Sequence, residues 1–302
     1  MSNEKLMISV VTPSHNRLEY LKVAIMSVQV QVLAPLPIEF EHVIHDCGST
    51  DGTKEYFEQN LPKENIYYIK DDGTNKPDTK NRQLVKATED KRKDGKGELA
   101  DNIIFIRSEH KMPPSQARNI CIRKTRGQFI CVLITVDFYI LQDDDDVFLQ
   151  RCIHNFAHAI RENKNKQFFI SDFLRVNEHL QYMPKEDYYG WVFKDCKEML
   201  QAIFDSCHFI QGNVCYSKKL FDDAGEYDET IGMAEDLDLY VRFLIHGDHP
   251  VYLPVISHLH RMHTANFSIG CDRDKHHNDL RGIYGRNEQK LKSLGVELTL
   301  SN

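Results

Sequence analysis

The chain has no long apolar run and no excess of basic residues. Its longest apolar stretch, residues 129–141, contains Asp137 and is shorter than the roughly 20 residues that cross a bilayer. The first seven residues include Glu4 and Lys5 and lack the apolar core of a signal peptide. The formal net charge of -7 disfavours a nucleic-acid partner, which normally meets a basic surface. These absences predict a cytoplasmic protein, with peripheral contact at the inner membrane face left open.

Cysteines are present, but their spacing matches neither a zinc site nor a redox motif. The eight stand at positions 47, 121, 131, 152, 196, 207, 215 and 271. No pair has the C-x-x-C spacing, and 302 residues are too many for a small disulfide scaffold. We therefore expect reduced thiols in a chain that folds as one large domain or two closely joined ones.

Short β-rich runs alternate with helical patterns in the first half of the chain. The runs lie at residues 7–11, 40–45, 66–69 and 103–106. Apolar residues with helical spacing follow the first two runs. This alternation predicts an α/β fold with a mainly parallel sheet flanked by helices. Ligands of such sheets bind at the carboxyl ends of the strands.

Residues 71–101 are highly charged and interrupt this pattern. A solvated insertion with one helix near residues 83–88 is the expected structure. The basic run 91–97 leaves open the binding of an anionic partner.

Four adjacent carboxylates, Asp143 to Asp146, follow the apolar run 138–141. A buried strand that ends in acids would place them at the ligand-binding edge of the sheet. Carboxylate oxygens suit Mg²⁺ or Mn²⁺. A solvated loop or the N-terminus of a helix would explain the same acids without a metal.

A second acidic pair, Glu235 and Asp236, opens a predicted helix over residues 234–244. Acids in a first helical turn are favoured by the helix dipole. His258, His260, Arg261 and His263 form a basic segment further along.

The order of these motifs resembles the family-2 glycosyltransferases with a GT-A fold. The resemblance covers residues 6–268 and rests on residues 13–17, 46–53, 117–119, 143–146 and 235–236. It implies a Rossmann-like, mixed, mainly parallel sheet flanked by helices. It also implies a GT-A domain at 1–270, with a nucleotide-sugar-binding part (1–146) and an acceptor part (147–270). The residues from Asp272 onward are polar and helix-prone, which predicts a C-terminal helical tail at 271–302.

Site roles follow from the same resemblance. Metal ligands for Mn²⁺ or Mg²⁺ would be Asp145, Asp143 and His263. The residues expected to bind the nucleotide-sugar are Pro13, Asn16, Arg17, Asp46, Arg118, Asp143 and Asp144. Asp236 resembles the general base, with Glu235 beside it. Simpler roles stay open: a turn cap for Asp46, an exposed helix charge for Arg118 and a structural group for His263.

The implied function is inverting, metal-dependent transfer of a sugar from a nucleotide-sugar, with UDP as the expected nucleotide, to a hydroxyl of a glycan or lipid-linked acceptor. This hexosyltransferase chemistry is typical of polysaccharide biosynthesis. One alternative is a sugar nucleotidyltransferase, which would need a glycine-rich, arginine-bearing loop after the first strand. Another is a glycosyltransferase-like binding protein without turnover.

The sequence departs from the family pattern in three places. Cys47 stands where the family usually has a second acid after Asp46. The approach from Gly127 to Asp143 is longer than usual, and so is the insertion at 71–101.

Overall fold

The computed structural model describes residues 6–69, 84–86, 99–125, 138–184, 192–206, 210, 213–264 and 273–300. The chain divides into two compact units between His154 and Asn155. Each unit carries strands flanked by helices, and the fold class is mixed α/β as predicted.

The first unit is built on a mainly parallel sheet with the strand order β4-β3-β5-β2-β1-β6. All of the neighbouring pairs are parallel except β3 and β4. Its elements are β1 (Leu6–Ser14), α1 (Leu18–Gln29), β2 (Ile38–Cys47), α2 (Thr53–Asn60), β3 (Ile66–Ile69), β4 (Leu84–Lys86), β5 (Ile103–Ser108), α3 (Pro114–Lys124), β6 (Phe138–Leu141) and β7 (Val147–Phe148).

The second unit has a smaller set of strands in the order β9-β8-β10. β8 pairs antiparallel with β9 and parallel with β10. Its elements are the end of α4 (Cys152–Glu162), β8 (Phe168–Asn177), α5 (Cys196–Phe204), β9 (Val214–Ser217), α6 (Lys218–Ala224), α7 (Glu235–Ile245), β10 (Val251–Met262) and α8 (Arg273–Ser293).

Helices α1 and α2 cover one face of the first sheet through a fully apolar core. The Phe57 ring of α2 stacks on Phe105 of β5 with 4.0 Å between centroids, and Leu21 and Ile25 of α1 pack in the same cluster. Each such buried side chain contributes roughly 1.5–3 kcal/mol of hydrophobic stabilisation. This packing fixes the strand ends from which the polar loops emerge.

The four strands predicted in the first half are confirmed, but two details of the prediction are wrong. The first strand does not stop before Pro13: β1 continues through Pro13, which pairs with His45 of β2. Its other neighbour, β6, pairs with β1 only as far as Val11, so the missing N–H of Pro13 interrupts no ladder on that side.

The second error is the helix expected near residues 83–88. Leu84–Lys86 form β4, which pairs antiparallel with β3. The edge of β3 carries backbone N–H and C=O groups that can pair with Leu84 and Val85. A helix of a few residues is only marginally stable in isolation, so pairing with β3 is favoured. Residues 70–83, 87–98 and 126–137 lie outside the described ranges, and with them the basic run and most of the long approach to Asp143.

Among the helices that the described ranges contain, none combines the length and the apolarity needed to cross a bilayer.

Candidate active site

The acidic loop after β6 is tied to β1 and α1 by buried hydrogen bonds. The backbone N–H of Gln142 donates to Val11 O at 3.2 Å. The side-chain amide of Gln142 donates to Ala24 O at 3.3 Å and to Ser27 Oγ at 3.2 Å. The same Ser27 hydroxyl accepts from Phe148 N at 3.0 Å. Both ends of the loop are therefore held on α1, and the acids between them have little freedom to move.

Arg17 lies between two buried carboxylates of this loop. Its Nη1 atom is 2.9 Å from Asp144 Oδ1 and 2.6 Å from Asp145 Oδ2. The two acidic side chains are only 6% and 4% exposed, whereas Arg17 is 23% exposed. One guanidinium thus serves two carboxylates, and the trio carries a net negative charge when both acids are ionised.

Burial makes ionisation of Asp144 unfavourable. Desolvation raises the pKa of Asp144 to about 7; the charge of Arg17 opposes that rise and the charge of Asp145 adds to it. For Arg17 itself, desolvation lowers the pKa but the neighbouring carboxylates outweigh it, so the pKa is raised overall. Within this trio, one guanidinium faces two buried carboxylates.

Arg118 of α3 provides a second guanidinium. Its Nη2 atom is 3.0 Å from Asp143 Oδ1, and Asp143 is 38% exposed. Arg118 is itself buried, so the alternative of an exposed helix charge is wrong. Asp143 is the most accessible of these three acids.

Asp46 caps the turn after β2 and also forms an ion pair. Its Oδ1 atom accepts a hydrogen bond from Ser49 N at 3.1 Å. Arg107, at the end of β5, donates to Asp46 Oδ2 and, at 3.0 Å, to Ser49 O. Gly48 has φ +70°, and a Cβ there would lie 2.8 Å from Glu109 O, so the turn requires glycine.

The loops after β1 and β2 are joined through Asn16. Asn16 N donates to Ser49 Oγ at 2.8 Å, and Thr50 N donates to Asn16 Oδ1 at 2.7 Å. Asn16 has φ 53°, a left-handed conformation that asparagine tolerates better than most residues. The imidazole of His15 hydrogen-bonds to Cys47 O at 2.7 Å and adds a second link.

Cys47 does not replace the missing second acid. Its side chain is buried, and desolvation raises the pKa of its thiol far above the ordinary value. The thiol therefore stays protonated and uncharged at neutral pH.

The structure thus brings the predicted residues of the first unit to one edge of the sheet, at the carboxyl ends of β1, β2 and β6. They are Pro13, Asn16, Arg17, Asp46, Arg118, Asp143, Asp144 and Asp145.

Glu235, Asp236 and His263 belong to the second unit. Glu235 and Asp236 form the first turn of α7, where Glu235 is buried and Asp236 is half-buried. Asp236 Oδ1 accepts a hydrogen bond from Leu237 N at 2.7 Å. His263 follows β10 directly and is buried.

The acidic loop has the donor chemistry for a hard cation but is no closed protein cage. Among the residues described, no group of three or more His, Cys, Asp or Glu is arranged to hold a metal ion. Mg²⁺ commonly binds through one or two carboxylates and completes its shell with water and substrate phosphates. Adjacent carboxylates at the carboxyl edge of a parallel sheet fit an ion of that kind.

Comparison with known proteins supports the fold and not a family assignment. No protein-family model and no curated protein matches the chain. TarS residues 1–349 from S. aureus in complex with UDP-GlcNAc is similar with a TM-score of 0.63 and 15% identity, over 96% of this chain and 71% of that one. The mannosyltransferase PcManGT from Pyrobaculum calidifontis, in complex with GDP-Man and Mn2+, is similar with a TM-score of 0.55 and 13% identity, over 93% and 64%.

The chain has a GT-A-like fold. The resemblance to family-2 glycosyltransferases is thereby confirmed at the level of the fold. A longer TarS structure is covered over only 43% of its length, so this chain corresponds to one part of that protein.

Sequence reasoning missed Arg107 in this GT-A-like fold. A single arginine at the end of an apolar run carries no motif. The one signal was a charged residue next to the last position of two neighbouring parallel strands, β2 and β5: Asp46 pairs with Arg107 in the sheet register.

Proposed function

We propose that the protein is a metal-dependent glycosyltransferase that moves a sugar from a nucleotide-sugar to a hydroxyl acceptor. The observation that carries this proposal is the arrangement of Asp144, Arg17 and Asp145 at the carboxyl edge of a GT-A-like sheet. A buried, partly neutralised acidic pair at a ligand-binding edge is a costly arrangement that solubility or folding does not require.

The donor's diphosphate would need positive charge that this edge only partly supplies. Arg17 and Arg118 lie at this edge, and each already pairs with a carboxylate. A bound Mn²⁺ or Mg²⁺, held by Asp145 with Asp143 and His263, would neutralise the diphosphate and stabilise it as a leaving group. The Mn2+ in the PcManGT complex supports this choice of cofactor.

UDP is the nucleotide that we propose first, because TarS structures contain UDP and UDP-GlcNAc. GDP is the second candidate, since PcManGT was solved with GDP-Man. In this proposal Asp46 and Arg118 contact the nucleoside, and Asp144 lies near the ribose. Pro13 and Asn16 shape the pocket with their backbone.

Asp236 is proposed as the general base of an inverting displacement. It would take the proton of the acceptor hydroxyl while the acceptor oxygen bonds to the anomeric carbon and the bond to the diphosphate breaks. Its place in the first turn of α7 and the hydrogen bond from Leu237 N hold this carboxylate at the N-terminus of the helix. The acceptor is proposed to be a glycan or a lipid-linked sugar.

The experiment that tests the donor site is calorimetry of UDP with Mn²⁺, with EDTA and with the Asp145→Ala variant plus Mn²⁺. We expect binding that needs both the metal and Asp145, with at least about a hundredfold loss when either is removed. Glu19→Gln, which changes an exposed carboxylate of α1, is the matched control and should bind as the wild type does.

UDP binding that ignores both EDTA and Asp145→Ala would refute the proposed donor site. Metal-dependent binding of GDP in place of UDP would keep the reaction and change only the nucleotide. Donor binding without any hydrolysis or transfer would favour the binding protein that lacks turnover.

A further inference from the structure

Helix α8 is docked on the second unit by an apolar face. Its buried residues recur with helical spacing at His277, Leu280, Ile283, Tyr284 and Leu291. The Tyr284 ring meets that of Phe204 edge-on at 5.2 Å, and its hydroxyl donates to Val296 O at 3.0 Å. The helix is therefore packed into this unit and is not a loose tail.

The polar border of α8 holds the loop that leads into α7. Asp279 Oδ2 accepts a hydrogen bond from Met233 N at 2.8 Å. The side chains of Lys275 and Asp279 flank Gly232, where a Cβ would come within 3.2 Å of Lys275 Cε and 3.8 Å of Asp279 Oδ2. Met233, which makes this contact with Asp279, lies three residues before Asp236.

Helix α8 also contacts Asp238, which lies two residues after Asp236. Arg286 Nη2 is 3.2 Å from Oδ1 of the buried Asp238, and 3.8 Å from Asp228 Oδ2. Asp238 Oδ2 also binds Arg242, 3.0 Å from its Nε and 2.8 Å from its Nη2.

Arg242 extends this network to the start of the loop. It donates to the carbonyl oxygens of Ala224, Gly225 and Glu226 at 2.7, 2.8 and 2.9 Å. Desolvation pushes the pKa of Asp228 upward, but hydrogen bonds from Thr230 and the charges of Arg286 and Arg242 leave it below its ordinary value. The loop from 224 to 234 is thus held at both of its ends.

The spacing on α8 matches the two contacts. Asp279 and Arg286 are seven residues apart, which places them on the same face of the helix about 10 Å from each other. Their partners, Met233 and Asp238, bracket Glu235 and Asp236.

We infer that α8 is a clamp that fixes the first turn of α7, with Asp279 and Arg286 as positioning residues for the Asp236 carboxylate. This inference rests on the proposed role of Asp236 as the base. Loss of the clamp would leave the donor-binding residues of the first unit in place and would lower the rate of the proton-transfer step.

The test compares Asp279→Ala, Asp279→Asn and Arg281→Ala with the wild type. Asparagine keeps a side-chain oxygen for Met233 N. Arg281 is an exposed arginine of the same helix that donates to Asn278 within α8, so its removal is the control. The readouts are hydrolysis of UDP-GlcNAc with Mn²⁺, calorimetry of UDP with Mn²⁺, and hydrogen exchange of residues 229–240.

We expect Asp279→Ala to lower kcat by about tenfold to a hundredfold, because small displacements of catalytic groups have large effects on rate. The affinity for UDP should be unchanged, and Met233 N should exchange about tenfold faster or more, as an amide that has lost its acceptor. Asp279→Asn should recover most of both effects, and Arg281→Ala should show neither.

Equal kcat and equal exchange in Asp279→Ala and Arg281→Ala would overturn the clamp. A wild-type protein that binds UDP but hydrolyses nothing would count against the proposed function alone, and the exchange comparison would still decide whether α8 holds α7. An Asp279→Ala protein that fails to bind UDP would be disturbed beyond α7, and Arg286→Ala, which removes the contact with Asp238, then takes its place in the comparison with the same expected results.

Discussion

The acidic loop of the first unit and the first turn of α7 use aspartates in opposite ways. In the loop, Asp144 and Asp145 are buried and share Arg17. On α7, the guanidinium groups of Arg242 and Arg286 go to Asp238, while Asp236 is half-buried and accepts from a backbone amide. In the loop one guanidinium is shared by two aspartates, whereas on α7 two guanidinium groups converge on one aspartate.

The largest expected effect concerns Asp236. Asp236→Asn keeps the shape and the hydrogen bond from Leu237 N but cannot accept a proton. We expect kcat for sugar transfer to fall by about 10²–10⁴-fold, the usual contribution of a general base. Calorimetry should show unchanged UDP affinity. Asp222→Asn, an exposed carboxylate paired with Lys218, is the control; equal rates in the two variants would assign the base elsewhere.

The second prediction concerns the acidic loop and tests how much its shared guanidinium, that of Arg17, stabilises the fold. Arg17→Met leaves Asp144 and Asp145 buried beside each other without this guanidinium. We expect a loss of about 3–5 kcal/mol in the free energy of unfolding near neutral pH, since the buried carboxylate charge that remains, even where Asp144 takes up a proton, loses this guanidinium. Urea denaturation with and without Mn²⁺ measures the loss. Recovery of stability by Mn²⁺ is expected, and a variant as stable as the wild type would mean that the pair is not ionised.

The pH dependence of stability follows from Asp144. Its pKa is raised to about 7 in the folded state, above the ordinary value of 3.8, so the folded state binds this proton more tightly than the unfolded state. The stabilisation is complete below about pH 4 and is lost as the pH rises through about 7. Relative to Asp144→Asn, the wild type should therefore lose on the order of a few kcal/mol over this window.

Denaturant titrations of both proteins from pH 4 to 8 give the measurement. A difference between them that does not change with pH would show that Asp144 is already ionised at pH 4.

The smallest expected effect concerns Arg107. Arg107→Lys keeps the positive charge beside Asp46 but not the fork that also reaches Ser49 O. We expect the Kd for UDP to rise about tenfold, because the turn after β2 loses one of its supports. Lys54→Met, which removes an exposed charge of α2, should leave the Kd unchanged. An equal Kd for UDP in the Arg107→Lys and Lys54→Met variants would show that Arg107 supports the fold but not nucleotide binding.

The strands and the acidic loop could be predicted because their signals are local. Continuous apolar runs mark buried parallel strands, and the charged residues that end them mark the ligand-binding edge. β4 could not be predicted, because three residues become a strand only when the edge of β3 is available. The pairing of Arg107 with Asp46 depends on sheet register, which no local pattern contains.

Helix α8 illustrates the same limit in the second unit. Its helical character could be predicted from composition, but its partners could not. Asp279 and Arg286 resemble any other surface charges until the fold brings Met233 and Asp238 against them.

The link that Asn16 makes between two loops has a kinetic consequence. Because Asn16 already joins the turn after β1 to Ser49 and Thr50, this wall of the proposed nucleotide pocket is assembled before any nucleotide arrives. A preorganised wall spares the ligand the entropy of ordering a loop. Association should then be limited by diffusion and charge, and selection among nucleotides should appear mainly in how long each one stays bound.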